Sequence, residues 1–261
     1  SIDGSKLYSY ALAKNDIFYI VPEGVKEICE SAFADCDNLI FVGIPNSIEV
    51  IGYNSFYGCD YLKSIIVGRN IKHIAGAAFR NCYSLEHVYY SGTEDEWELV
   101  DLNYGNDSIP NTVCCSNNTD SFVLFEKIYD NGIDVYSVKC PTCGCDKQLI
   151  SSGDAIYYVS DKEASIIKYV GDLESFIVPI SIHGYPVTEI GYKAFYECDT
   201  LKSIIIPFGI CKIGNSAFEY CTELTSVDMP NTMVYIGNKA FSNCSRLKDI
   251  AIPDCVTYIG Y

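Results

Sequence analysis

Fourteen cysteines, three histidines and a single tryptophan are the residues of this 261-residue chain whose chemistry first asks for an account. Five cysteines gather in the middle: the adjacent pair Cys114-Cys115, and Cys140, Cys143 and Cys145 in the stretch KCPTCGCDK. A C-x-x-C knuckle offers two thiolates to zinc, and a closed structural site takes four ligands, so Cys114 or Cys115 would have to complete it. Against zinc, adjacent cysteines rarely serve one ion, and the second pair lacks knuckle spacing. A disulfide and free thiols are the other readings. A thioredoxin-like role needs a βαβ context, which is missing. His73, His87 and His183 stand apart from one another, and no Ser/His/Asp order, H-E-x-x-H motif or Gly-rich phosphate loop accompanies them. No catalytic residue is assigned, and the chain is read as non-enzymatic. Asn106, Asn117 and Asn243 each open an N-x-S/T triplet that matches the glycosylation pattern.

The other cysteines belong to a pattern. Phe33/Cys36, Phe56/Cys59 and Phe79/Cys82 follow one another at intervals of 23 residues, and so do Phe195/Cys198, Phe218/Cys221 and Phe241/Cys244. A Leu stands three residues after each Cys, followed by L-x-x-[IV]-x-φ, as in Leu62-Ile65-Val67 and Leu201-Ile204-Ile206. The last two apolar positions alternate, which predicts a short strand with one buried face. The A-F-x-x-C segment predicts one short helical turn that brings Phe and Cys together, and the Gly of Ile-Gly pairs such as Ile51-Gly52 and Ile213-Gly214 suits a tight reversal. A Cys in this position reads as a small buried apolar group with a weak S–H donor. One unit of this length cannot bury its own apolar face; stacked neighbours can, along a solenoid.

The motif resembles the BspA-like, bacterial-surface-antigen type of leucine-rich repeat, with its I-G-x-x-A-F-x-x-C-x-x-L-x-x-I-x-I-P consensus. The resemblance covers residues of about 20–90 and 186–261. It implies a leucine-rich-repeat solenoid of short parallel strands, with short helical or 3-10 turns on the convex side. It also implies an extracellular or cell-surface protein that adheres to host or microbial extracellular components.

Two arrays are expected, because 139 residues separate the matching motifs at Ile51 and Ile190 and 139 is not a multiple of 23. Residues 1–115 form the first array, closed by a cap around Trp97. Residues 116–150 form a connector with a β-hairpin about Asp130-Asn131-Gly132 and the cysteine cluster. Residues 151–261 form the second array, entered through a hairpin that turns near Asp161-Lys162 and expected to be cut short at its C-terminus. Ser1 is an unusual start, so the chain is expected to be a piece of something longer.

With 18 basic against 34 acidic side chains the net charge is −16, which disfavours nucleic acid and anionic membranes as partners. No apolar run is long enough to span a bilayer. Between the buried positions of each strand, side chains face outward on the concave sheet. In the first array these include Phe41, Ile66, His87 and Tyr89, an apolar and aromatic column taken as the candidate binding face. In the second array they are Ser203, Ile205, Ser226, Asp228, Asp249 and Ala251. The expected function is binding of an extracellular protein or glycan by a monomer without cofactor beyond the zinc considered above. The alternative is a spacer that presents another domain from the cell surface.

Overall fold

The computed structural model describes residues 4–10, 16–116, 124–130, 133–139, 144 and 146–261. The chain divides into two compact units, one drawn from residues 1–124 and 139–144, the other from 125–138 and 145–261.

In the first unit the strands expected from L-x-x-[IV]-x-φ form one parallel sheet, in the order Cys114–Cys115, His87–Tyr90, Ser64–Val67, Phe41–Ile44, Phe18–Ile20. The Ile-Gly segments form a second parallel sheet of two-residue strands: Lys6–Leu7, Glu27–Ile28, Val50–Ile51, His73–Ile74 and Asp101–Leu102. Between them Phe33, Phe56 and Phe79 stack with centroids 4.8 and 5.1 Å apart and rings within 6° of parallel. The solenoid expected from the repeat is present, and each coil supplies one layer of its core.

The A-F-x-x-C segments are not helical. In each, the residue before Ala and the residue before Cys have positive φ, as with Ser31 (54°) and Asp35 (55°), or Lys193 (52°) and Glu197 (56°). Two left-handed residues four apart break any helix. Their alternation sends successive N–H groups in different directions. Cys36 N–H bonds back to the Phe33 carbonyl at 3.3 Å, while Phe33 and Asp35 N–H reach Ser55 and Tyr57 carbonyls of the next coil, both at 2.7 Å. A third ladder of hydrogen bonds thus joins the coils.

The repeated Gly serves close approach rather than positive φ. A Cβ on Gly214 would lie 2.7 Å from backbone atoms of Gly191 and Tyr192, and one on Gly52 would lie 2.7 Å from the Ile28 carbonyl oxygen. Backbone neighbours cannot swing away as a side chain does, so Gly eases the stacking at this point. Cys29 and Ala75 hold the same place in two other coils and make the same cross-coil N–H bond, at 2.9 and 2.8 Å.

The second unit carries a mixed sheet. Its order is Leu124–Asp130, Ile133–Lys139, Asp146–Ser152, Ala155–Ser160, Glu163–Tyr169, then Tyr185–Ile190, Lys212–Ile213, Tyr235–Ile236 and Tyr258–Ile259. The hairpin expected near Asp161-Lys162 joins Ala155–Ser160 to Glu163–Tyr169, and both turn residues are left-handed (53° and 70°), as a two-residue type I′ turn requires. A further hairpin, Asp146–Ser152 with Ala155–Ser160, was not foreseen; its signal is Gly153-Asp154 between two alternating runs. Glu163–Tyr169 then pairs in parallel with Tyr185–Ile190, so the solenoid stacks directly on the hairpin. A separate parallel sheet holds Ser175–Ile177, Ser203–Ile205 and Ser226–Asp228.

Candidate binding surface

The first array's predicted column has the expected register but not the expected openness. Phe41 pairs with Ser64 and then His87, and Ile66 pairs with Tyr89, so these residues share one face of the sheet. Strand alternation turns Phe41 and Tyr89 to the face opposite Val42 and Val88, which lie in the unit's apolar core, and neither aromatic belongs to that core. Both are nevertheless closed to solvent, at 1% exposure, and Ile66 and His87 are half-buried. His87 stacks on Tyr89, with centroids 5.9 Å apart. Two large aromatic side chains left in water forgo several kcal/mol of burial at about 25 cal/mol per Å². In the folded chain they are covered and offer no open docking column.

The second array presents its equivalent face openly. Four segments align: SFIVPISI from Ser175, SIIIPFGI from Ser203, SVDMPNTM from Ser226 and DIAIPDCV from Asp249. In the first three, strand register sets Ser175, Ser203 and Ser226 in one row and Ile177, Ile205 and Asp228 in the next. The alternate residues Phe176, Ile204 and Val227 go into the core, at 8%, 1% and 8% exposure. Ile177 is 63% exposed and Ile205 41%, and after the Pro of each segment Ile180 and Phe208 stand out at 68% and 78%. Ser203 Oγ donates a hydrogen bond to Ser175 Oγ at 2.9 Å, tying the first two coils together. In the last two coils acidic and polar residues enter these rows, with exposed Asp228, Asn231, Asp249 and Asp254, while Ala251 and Ile252 of the last segment are also exposed. The face therefore runs from apolar to acidic along the solenoid axis.

Of the five metal-ligating candidates, Cys114 and Cys115 fall among the described residues. Cys114 and Cys115 are consecutive in one strand, so their side chains leave on opposite faces and cannot share an ion. Cys115 packs into the core, where burial, and after it the charge of Glu94, pushes its thiol up to about 11. Cys140, Cys143 and Cys145 lie outside the described residues.

Four of the six repeat cysteines are buried thiols that also hydrogen-bond to the neighbouring coil. Cys59 and Cys82 donate to the Phe33 and Phe56 carbonyls at 3.0 Å, and Cys221 and Cys244 donate to Phe195 and Phe218 at 2.9 and 3.0 Å. Each thiol reaches one coil back. Burial, with Asp37 and Asp35 nearby, pushes Cys36 up to about 11; burial alone does the same for Cys244.

The histidines do structural work. His73 pairs with Asp101 at 2.8 Å across the sheet of two-residue strands, and no hydroxyl or thiol is hydrogen-bonded to that imidazole among the described residues. His183 occupies an exposed turn with φ 48°. Trp97 lies on the one helix among the described residues, Glu94–Glu98, opened by a Thr93/Glu96 capping box, and packs against the first core with Tyr90 at 5.1 Å.

Two features escaped sequence reasoning. Tyr10 and Tyr169 begin the two ring stacks, at 5.2 Å from Phe33 and 5.0 Å from Phe195. Tyr10 stands 23 residues before Phe33, so spacing alone signals it. Asn106, which matched a glycosylation triplet, is 7% exposed. Its Oδ1 accepts from Phe79 N–H at 2.9 Å, and its Nδ2 donates to the Ala75 and Asn103 carbonyls at 3.0 and 2.9 Å. In earlier coils a backbone carbonyl of the next coil takes the Phe N–H; here a side chain stands in for it.

A family model described as BspA type leucine rich repeat region, in six copies, matches residues 5–98 and 167–261. Among solved structures, a leucine-rich repeat protein from Bacteroides capillosus is 30% identical over 42% of this chain and 86% of its own, with a TM-score of 0.40. A leucine rich cell surface protein from Faecalibacterium prausnitzii is 18% identical, covering 98% of this chain and 80% of its own, with a TM-score of 0.37. The pneumococcal vaccine antigen PcpA is 19% identical over 98% of this chain and 64% of its own, with a TM-score of 0.42. No curated protein matches.

Proposed function

The chain belongs to the BspA-type leucine-rich repeat family, and from that premise we propose that it is a non-enzymatic binding protein of the cell surface or extracellular space. It holds an extracellular protein or glycan against the open strand face of its second unit, and it acts as a monomer. The observation that carries this reading is the pair Ile177 and Ile205, neighbours in register and 63% and 41% exposed. Large apolar side chains set side by side on a rigid sheet gain about 25 cal/mol per Å² when a partner covers them, and the sheet has already lost the entropy of ordering. No helix among the described residues is long and apolar enough to cross a membrane.

The test is binding of the full chain to a panel of extracellular-matrix proteins and glycans, beside an Ile177→Ser/Ile205→Ser variant. Both residues are exposed, so the variant is expected to keep the wild-type thermal transition. Affinity for the ligand that the wild type selects falls by about tenfold or more, since each Ile forgoes up to ~1.5–3 kcal/mol of burial. Undiminished binding by the variant would exclude this face.

A further inference from the structure

We propose that the open face of the second unit docks an extended polypeptide segment with apolar side chains at one end and lysine or arginine at the other. This deepens the binding role proposed above and names its partner. The face has two ends. Ile177, Ile205 and Phe208 form the apolar end over the first two coils, and Asp228, Asp249 and Asp254 form the acidic end over the next two. None of the three carboxylates has an ion pair or side-chain hydrogen bond among the described residues. Elsewhere in the same unit, Glu174, Glu189 and Glu223 are each paired with a lysine or arginine at 2.5–2.9 Å. The acidic end thus holds negative charge that the fold leaves unanswered, next to apolar area that the fold leaves uncovered.

The dimensions fit a peptide. Three of the coils pair as strands on this face, and the fourth follows them through the pairing of Tyr235–Ile236 with Tyr258–Ile259. At about 4.8 Å per coil the four span about 14 Å, the length of four to five extended residues. Such a segment, lying across the coils, sets its apolar side chains over Ile177, Ile205 and Phe208 and its cations over the aspartates. An acidic segment placed the same way would meet like charge at one end, in a chain whose net charge is already −16. The charge therefore decides orientation and rejects the wrong partner, while the isoleucines and Phe208 supply the affinity.

The test uses the full chain and two labelled seven-residue peptides, read by fluorescence anisotropy. One has isoleucine at its first and third places, lysine at its fifth and seventh, and serine between; the other has glutamate for lysine. The lysine peptide is expected to bind. Asp228→Asn/Asp249→Asn/Asp254→Asn weakens it roughly fivefold, the sum of three exposed charge contacts, and Ile177→Ser/Ile205→Ser weakens it about tenfold or more. The glutamate peptide binds at least as weakly as the lysine peptide does to the asparagine variant. Equal binding of the two peptides, an unchanged affinity in the asparagine variant, or no binding of either would overturn the proposal. Failure of the wider reading looks different: there the serine variant keeps its extracellular ligand, whatever the peptides do.

Discussion

Cysteine at the A-F-x-x-C position couples packing to a hydrogen bond, and this has a consequence in alkaline solution. Cys59, Cys82, Cys221 and Cys244 each donate a proton to a Phe carbonyl one coil back. A thiolate has no proton to donate and would carry charge into the core. The folded thiols of Cys36 and Cys244 are accordingly raised from an ordinary 9.0 to about 11, and burial carries Cys221 higher still. Between pH 9 and 11 the unfolded chain loses these protons and the folded chain keeps them. The folded state then binds more protons, and stability falls as pH rises. Below pH 9 both states hold the proton, and the thiols make no difference to the pH dependence. Denaturant midpoints measured from pH 8 to 11 are expected to be flat to about 9 and to fall beyond it. A Cys221→Ala/Cys244→Ala variant, less stable at pH 8, should show a shallower fall. An equal slope in both proteins would assign the alkaline loss to other groups.

At the scale of the coil, every N–H that one coil sends forward must find an acceptor, and the last coil of an array has no successor. Asn106 answers this for Phe79 with its Oδ1, while its Nδ2 donates to two backbone carbonyls of the protein. Asn106→Ala leaves the Phe79 N–H buried and unpaired and frees two carbonyls; the expected cost is about 2–3 kcal/mol. Asn106→Asp keeps an acceptor for Phe79 but sets a carboxylate against the Ala75 and Asn103 carbonyls, so it should not rescue. Trp97 is the chain's single Trp and packs in the same unit, so its fluorescence reports this unfolding directly. A midpoint unchanged in the alanine variant would mean that water satisfies Phe79 as well as Asn106 does. The repeat itself was legible because Phe, Cys and Leu recur with a fixed period and their burial follows from it. The left-handed positions were not, since Ser31, Asn54, Ala77 and Lys193 share a backbone angle and no side-chain chemistry. Asn106 was hidden for a related reason: its role is to imitate a backbone carbonyl, and its sequence context advertised a glycan instead. The outward direction of Phe41 and Tyr89 followed from strand alternation. Their closure did not, because exposure depends on what packs over a face, which a 23-residue period does not encode.

Across the whole molecule, two electrostatic effects oppose each other, and salt separates them. Ion pairs link neighbouring coils: Glu49 lies between Lys72 at 2.6 Å and Lys26 at 3.5 Å, and Arg246 meets Glu223 at 2.6 Å. These pairs are largely exposed, and each contributes about 0–1 kcal/mol. Against them stands a net charge of −16, spread over 261 residues as repulsion among carboxylates many ångströms apart. The screening length falls from about 30 Å at 0.01 M salt to about 8 Å at 0.15 M. A contact near 3 Å lies well inside both lengths and changes little, whereas repulsion at 10–20 Å is present at the low concentration and mostly gone at the higher one. Salt therefore removes more of the unfavourable effect than of the favourable one. Raising NaCl from 0.01 to 0.15 M is expected to raise the thermal midpoint by a few degrees, the response of a chain this size to about 1 kcal/mol. Calorimetry at constant pH 7.5 checks it, and the low salt range keeps ion-specific effects on apolar surface small. A midpoint that falls with salt would show the cross-coil pairs outweighing the long-range repulsion, and the Glu49 pairs would then be the first to test by Glu49→Gln.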